Sequence, residues 1–425
     1  MQQLFTPVDW SFQTNIYEVN IRQYTKEGTL SAFAAHLPRL KEMGVHTIWF
    51  MPLQPIGKLN RKGAMGSYYS ISDYTSLNPE FGVLDDLKQI VDDAHSMGMK
   101  VIIDWVANHT AWDHVWTTVH PSFFSKDEEG NFRSPYPDWV DVIHLDYGNV
   151  NLWNEMIAAM QFWVDNFDID GFRCDMAHLV PLAFWKKARK ELDKTKKLFW
   201  LAETEDPVYH EAFDASYTWD FLHAAEAFWR KETGVFGLDN VIYKYEKEFP
   251  VNALRLFFTS NHDENSHSGS EYERLGDAVK IFAVFSILWK SIPLIYSGQE
   301  MPVKRRILFF EKDAIDWSAR PLLHNFYKKL LSLRTIHPAL NAADENAELF
   351  RVATTDGGHI FSFIRKNGDR QVLVFLNLSA EETEFIITDE RVNGLYKEIF
   401  SESEVEILQD SNLLLGAWEF FVFEK

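Results

Sequence analysis

The chain has 425 residues, of which 46% are apolar and 15% aromatic, so it is long enough to bury a large core. Its 42 basic and 62 acidic residues give a net charge of −20, which argues against nucleic acids and anionic membranes as partners because both attract basic surfaces. The single cysteine, Cys174, excludes an intrachain disulfide and a zinc site built on paired cysteines.

Short β-branched or aromatic runs alternate with amphipathic stretches through most of the chain. Apolar residues at helical spacing predict helices over Leu30–Met43, Leu84–Met97, Leu152–Asn166 and Leu182–Asp193. Strands alternating with helices predict a (β/α)8 TIM barrel of the α/β class. The eight predicted strands are Ile16–Ile21, Thr47–Met51, Val101–Trp105, Gly171–Asp175, Leu198–Glu203, Ala215–Trp219, Leu254–Ser260 and Pro293–Ser297.

Two segments depart from this alternation. Residues 110–150 are turn-rich and show little periodicity, which predicts a short irregular domain in the third βα loop, since loops of this length are usually functional. From Ala343 onward only strand patterns and turn signals remain, which predicts an antiparallel β-sandwich. The predicted domains are therefore a catalytic barrel of residues 1–109 and 151–342, a short domain of residues 110–150 and a C-terminal sandwich of residues 343–425.

Acidic residues lie at the C-terminal ends of four of the predicted strands, where the active site of a barrel is built. The segments that carry them are DWVANH (104–109), GFRCD (171–175), LAE (201–203) and SNHD (260–263). Carboxylates beside a guanidinium and imidazoles suit cleavage of a glycosidic bond, in which one carboxylate attacks the anomeric carbon and another protonates the leaving oxygen. Glu205 is an alternative to Glu203, because alternation along an extended segment places both on the same side.

These four segments resemble, in order and in strand position, the four signature regions of the α-amylase family, glycoside hydrolase family 13. The segments MGSYYSISDYTSLNPEFG (65–82) and PLIYSGQE (293–300) resemble two further motifs of that family. The resemblance covers about residues 10–340. It implies an α-amylase-like, retaining α-glucan hydrolase that cleaves α-1,4-glucosidic bonds of maltooligosaccharides or starch-like glucans through a covalent glycosyl-enzyme intermediate.

Carried over residue by residue, the resemblance implies catalytic roles for three carboxylates. Asp175 would be the nucleophile, Glu203 the general acid/base, and Asp263 the carboxylate that holds hydroxyls of the sugar at the cleavage site. Five more residues would bind substrate or support those that do: Arg173 orienting Asp175, Tyr69 stacking under the sugar, His109 and His262 hydrogen-bonding it, and Asp104 lying beside Arg173.

The family resemblance also raises the question of a calcium ion. Asn108 matches a position that ligates structural calcium in many amylases, but the Lys-His pair that usually follows the nucleophile in those enzymes is absent from Met176–Leu179. A hard cation needs about six or more oxygen ligands, and the sequence does not supply a recognisable set. We therefore predict that no cofactor or metal is required and that Asn108 is a hydrogen-bonding residue.

Several readings remain open at the level of sequence. The same scaffold supports an α-glucan transglycosylase, or an enzyme with α-glucosidase or cyclomaltodextrinase specificity, and a non-catalytic carbohydrate-binding protein is a further alternative. The expected partner is an α-glucan, with neither nucleic acid nor membrane, and the oligomeric state is left open. Because the N-terminus shows no basic segment followed by an apolar one, no secretory signal is expected and a cytoplasmic location is predicted.

Overall fold

The computed structural model describes residues 5–251, 253–342, 344 and 346–425. Ala343, the predicted first residue of the sandwich, and the first four residues of the predicted barrel lie outside the described residues. The chain forms two compact units. One comprises the residues up to Ser11, Ile16–Tyr217 and Tyr296–Leu322, and the other comprises Phe12–Asn15, Thr218–Ile295 and Leu323–Lys425. In neither unit does a described helix have the length and apolarity needed to span a membrane.

Eight parallel strands form the closed barrel that the sequence predicts. They are hydrogen-bonded in the order β1-β2-β3-β6-β7-β8-β9-β10, with β10 returning to β1. Neighbouring strands pair in parallel, as between β3 and β6 or between β9 and β10. The strands of this part of the chain are β1 (Ile16–Val19), β2 (Thr47–Phe50), β3 (Lys100–Trp105), β4 (His109–Ala111), β5 (Val142–His144), β6 (Gly171–Cys174), β7 (Phe199–Ala202), β8 (Ala215–Tyr217), β9 (Leu254–Phe257) and β10 (Ile292–Tyr296).

The helices follow the predicted pattern with one difference. The stretch Leu30–Met43, predicted as one helix, is divided in two because Pro38 lies in the first turn of the second helix. A proline further inside a helix would clash with the carbonyl of the preceding turn. The helices are α1 (Ile21–Tyr24), α2 (Leu30–Ala34), α3 (Leu37–Met43), α4 (Leu84–Ser96), α5 (Trp116–Val119), α6 (Val150–Phe167), α7 (Leu182–Leu192), α8 (Trp219–Trp229), α9 (Val235–Glu248), α10 (Glu271–Leu275), α11 (Val279–Leu288) and α12 (His324–Ile336).

The third βα loop is more regular than the sequence suggests. Strands β4 and β5 pair in antiparallel fashion at its two ends, with His109 opposite His144. The pairing draws the ends of the long loop together and fixes His109 on a strand.

The C-terminal strands form the predicted sandwich. A six-stranded sheet has the order β11-β12-β13-β18-β15-β16, and a second sheet pairs β14 with β17. Phe385 and Leu415 of the smaller sheet share one apolar cluster with Leu373, Phe375 and Phe423 of the larger sheet. The strands are β11 (Glu348–Arg351), β12 (Ile360–Asn367), β13 (Arg370–Asn377), β14 (Thr383–Ile386), β15 (Gly394–Glu398), β16 (Glu404–Ile407), β17 (Asn412–Leu415) and β18 (Phe420–Glu424).

Candidate active site

Three neighbouring barrel strands place polar side chains at one level of the rim. In the register of β3 and β6, Asp104 lies opposite Arg173. The hydrogen-bonded ladder then continues past the strand ends, because the Asp175 N–H donates to the Trp105 carbonyl and the Glu203 N–H donates to the Cys174 carbonyl, both at 3.0 Å. The backbone that carries both acids is therefore tied into the sheet.

Arg173 is fully buried and contacts three carboxylates. Its Nη1 donates to both oxygens of Asp104 at 3.0 and 3.2 Å and to Asp175 Oδ1 at 3.0 Å. Its Nη2 lies 2.9 Å from Glu203 Oε2, and its Nε donates to the Tyr217 hydroxyl at 3.2 Å. Burial alone would lower the pKa of this guanidinium, but the charges of Asp104 and Glu203 raise it well above its usual value. Arg173 therefore stays a cation.

Glu203 is held by a second contact from the turn after β6. The Met176 N–H donates to Glu203 Oε2 at 2.8 Å, and Met176 has a left-handed backbone with φ of 41°. The side chains of Asp175 and Glu203 keep 9% and 7% of their surface exposed, so both remain reachable from solvent. Glu205, the alternative acid, is half-buried, and the ion pair with Arg173 is made by Glu203.

The two neighbouring tyrosines of the strand-two loop have different surroundings. The Tyr69 hydroxyl donates to Asp104 Oδ2 at 3.0 Å, and the Arg173 guanidinium lies 5.8 Å from the Tyr69 ring. Tyr68 is fully buried, with the Arg22 guanidinium 4.3 Å from its ring centre. Tyr69 thus borders the carboxylate cluster, and Tyr68 packs beneath the loop.

His109, on strand β4 of the third βα loop, is almost completely buried. Its ring meets Trp139 edge to face with centroids 5.3 Å apart, and the Asn108 amide nitrogen lies 3.2 Å from His109 Nδ1. Burial, together with neighbouring His144, lowers the pKa of His109 to about 3. A neutral imidazole can donate or accept a hydrogen bond but cannot contribute a positive charge to the site.

His262 and Asp263 lie in the second unit, after strand β9. His262 is buried, and its Nε2 is 3.3 Å from Asp263 Oδ2. The Asp263 side chain keeps 44% of its surface exposed. A short π-helical turn, Glu264–Ser268, follows, and its first N–H donates to the Asn261 side-chain oxygen at 2.8 Å.

A metal site does not emerge from the residues around Asn108. Across the described residues, no group of three or more histidine, cysteine, aspartate or glutamate side chains is arranged to hold a metal ion. Asn108 directs its amide nitrogen to His109 instead. These surroundings do not fit a calcium site, and the absence of a cofactor requirement stays a prediction.

Sequence reasoning missed three groups that surround Arg173 and Glu203. They are the Tyr217 hydroxyl, the Trp49 ring 5.0 Å from the guanidinium, and the Met176 N–H. Tyr217 could have been suspected because it lies near the end of a predicted strand. Trp49 resembles any core tryptophan, and a backbone N–H leaves no signal in the sequence.

Comparison with known proteins gives one consistent family. Residues 11–140 and 136–319 match the sequence model described as "Alpha amylase, catalytic domain", and residues 360–422 match the "Alpha-amylase SusG C-terminal domain". The solved structure of a maltogenic α-amylase, AmyB, from Thermotoga neapolitana is 30% identical and superimposes with a TM-score of 0.90, covering 98% of this chain and 99% of that one.

Two related proteins are named for different reactions. Alpha-amylase 2 of Dictyoglomus thermophilum is 25% identical over 442 residues, covering 92% of this chain and 73% of that protein. An alpha-1,4-glucan:maltose-1-phosphate maltosyltransferase of Rhodospirillum rubrum is 26% identical over 412 residues, covering 85% of this chain and 56% of that protein.

Proposed function

Because the chain belongs to the α-amylase family of glycoside hydrolases, we propose that it hydrolyses α-1,4-glucosidic bonds of maltooligosaccharides or starch-like glucans with retention of configuration. The observation that carries the proposal is the pairing of Asp175 and Glu203 with adjacent nitrogens of one buried guanidinium, that of Arg173. Two carboxyl groups held this close suit a double displacement, whereas an inverting enzyme keeps them further apart to admit a water between them.

In the first displacement, Asp175 attacks the anomeric carbon and forms an ester as the bond to the leaving oxygen breaks. Arg173 prepares Asp175 for this step, because a hydrogen bond from a cation favours the charged carboxylate and fixes its direction. The ion pair is buried, so solvent screens it little.

Glu203 supplies the proton that the leaving oxygen takes up and later removes one from the attacking water. With all three carboxylates ionised, the cluster of Asp104, Asp175, Glu203 and Arg173 would carry two net negative charges. Repulsion between like charges favours retention of a proton by one of them. We assign that proton to Glu203 Oε1, because Oε2 lies 2.9 Å from Arg173 Nη2 and accepts the Met176 N–H, and a neutral carboxyl can keep both contacts.

The remaining site residues would bind the sugar. Tyr69 supplies a ring beside Asp104 and Arg173, and neutral His109 supplies a hydrogen-bonding group. The case for Asp263 and His262 as sugar-binding residues is their place in the SNHD segment, which resembles a family motif. An α-glucan is accordingly the proposed partner, and a cytoplasmic location remains part of the proposal.

Transglycosylation is the alternative outcome of the same first step. A sugar hydroxyl would then replace water as the group that attacks the Asp175 ester. This alternative is supported by the relative that is named as a maltosyltransferase. Cyclomaltodextrinase or α-glucosidase specificity would retain hydrolysis and change only the substrate.

The test is a timed analysis of products from maltoheptaose, following both chain length and the anomeric form of new ends. We expect shorter chains with α-anomeric ends. The matched variant Asp175→Asn, which keeps the side-chain size, should lower turnover by roughly a thousandfold or more, because nucleophiles in such sites act as part of a unit. Residual activity within about tenfold of wild type contradicts the nucleophile assignment. β-anomeric products contradict retention, and products longer than maltoheptaose identify a transferase.

A further inference from the structure

A surface segment of the loop after β2 is fixed to two other loops of the first unit. We call this segment, residues 57–66, the strap. At one end the Ala64 N–H donates to Glu311 Oε1 at 2.9 Å, and the Met65 N–H donates to the Phe310 carbonyl at 3.0 Å. Both acceptors belong to the loop after β10. That loop is itself anchored, because the buried Gln23 amide donates to the carbonyls of Leu308 and Glu311 at 2.8 and 2.6 Å.

The other anchor of the strap lies in the short domain of the third βα loop. The Lys58 N–H donates to Asp113 Oδ2 at 2.8 Å. Lys62 Nζ lies 3.1 Å from Asp141 Oδ1 and donates to the Asp138 carbonyl at 3.0 Å. The strap therefore bridges two loops that a barrel would otherwise leave separate.

The backbone of the strap is shaped for this bridge. Asn60, Gly63 and Gly66 have left-handed φ values of 58°, 62° and 75°. A Cβ placed on Gly63 would lie 2.4 Å from Phe310 Cβ, so the strap packs against its neighbour at a distance that only glycine allows. Buried Arg22 donates to the carbonyls of Met65 and Gly66 at 3.1 and 3.0 Å. The strap is thus held in place at several points.

The contacts of Arg173 show on which side of the cleaved bond the strap lies. Glu203 contacts Nη2, whereas Asp104 contacts Nη1 and accepts a hydrogen bond from Tyr69. The leaving oxygen must lie beside the acid, Glu203, so the sugar that stays on the enzyme extends toward Tyr69. Only Ser67 and Tyr68 separate the strap from Tyr69 along the chain, and Phe309 stacks nearly parallel to the Tyr69 ring with centroids 6.4 Å apart.

Building on the proposed function, we propose that the strap closes the cleft on the side of the retained sugars. A closed end admits only a few sugars beyond the cleaved bond, so the enzyme removes short pieces of uniform length from the nonreducing ends of glucan chains. Glu311 and Lys62, which anchor the strap to the loop after β10 and to the short domain, are then specificity-determining residues that do not touch the reacting atoms.

The experiment follows the first products from maltoheptaose carrying a fluorescent label on its reducing end. Wild type should release one short unlabelled product. Glu311→Ala removes the acceptor of the Ala64 N–H, and we expect it to increase the share of longer unlabelled products by roughly threefold or more, with turnover within about threefold of wild type. Glu311→Gln keeps an acceptor oxygen of the same reach and should restore the wild-type distribution.

Two further variants separate specificity from stability. Lys62→Met removes the Lys62 side-chain contacts of the strap with the short domain and should shift the products in the same direction, which decides the question if Glu311→Ala does not fold. Glu419→Ala removes a similar bond to a backbone N–H, that of Gly416 at 2.7 Å, in the second unit and should leave the distribution unchanged. Internal cleavage by wild type, or an unchanged distribution in both anchor variants, overturns the proposal. Failure of wild type to cleave any α-glucan contradicts the proposed function instead.

Discussion

The Arg173 side chain organises the site because its guanidinium is planar and carries several donors in fixed directions. Asp104 and Asp175 share Nη1, and Glu203 pairs with Nη2. A lysine at this position would offer a single charged nitrogen on a flexible chain and could not hold three acids in a fixed relation. Arg173, which takes no part in bond breaking, therefore helps to fix the separation between the proposed nucleophile, Asp175, and the proposed acid, Glu203.

The assignment of the acid can be tested at the level of single residues. Glu203→Gln should lower kcat/KM for maltoheptaose by roughly a hundredfold or more, because a sugar leaving group needs a proton, and should affect a nitrophenyl maltoside much less. Glu205→Gln is the matched control and should stay within about fivefold of wild type on both substrates. If Glu205→Gln loses most of its kcat/KM while Glu203→Gln remains active, Glu205 and not Glu203 is the general acid.

At the scale of elements, the turn that follows β6 links Asp175, the proposed nucleophile, to Glu203, the proposed acid. Asp175 precedes the turn, the Met176 N–H donates to Glu203 Oε2, and Met176 itself adopts φ of 41° and ψ of 46°. Residues with a Cβ populate this left-handed region at a cost of about 1 kcal/mol. This strained conformation occurs at a residue whose backbone N–H contacts Glu203.

Two substitutions of Met176 separate the backbone contact from the side chain. Met176→Gly keeps the N–H and adopts the left-handed conformation readily, so kcat should stay within about threefold of wild type. Met176→Pro removes the N–H and fixes φ near −65°, so kcat should fall by roughly a hundredfold or more. Steady-state kinetics with circular dichroism as a check on folding distinguishes the two. Equal activity in both variants would show that the N–H to Glu203 is dispensable.

For the whole molecule, the barrel and the sandwich could be predicted because most of their strands have an apolar run and a turn signal. Acids at strand ends likewise identified Asp175 and Glu203, which the structure places on one guanidinium. Strands β11, β16 and β17 of the sandwich were not predicted because they are short and carry polar or exposed residues, so that only pairing with other strands reveals them. Contacts that depend on backbone conformation, such as the Met176 N–H, arise only when distant segments are brought together.

Buried histidines make the stability of the whole molecule sensitive to acid. Burial lowers the pKa of His109 and of His114 from 6.5 to about 3. Below pH 6.5 these histidines bind protons in the unfolded chain but stay neutral in the folded protein. The free energy of unfolding therefore decreases as the pH falls from 6.5 toward 3. At pH 5 each residue lowers the free energy of unfolding by about 2 kcal/mol relative to neutral pH.

Replacing one of these residues should reduce the acid sensitivity. The melting temperature of His114→Gln is expected to fall less between pH 7 and pH 5 than that of wild type, because the substitution removes one group that must be kept neutral. His223→Gln, at an exposed position, should show the same fall as wild type. If His114→Gln loses as much as wild type over this interval, then His114 binds its proton in the folded state. The acid sensitivity would in that case have to come from groups other than this histidine.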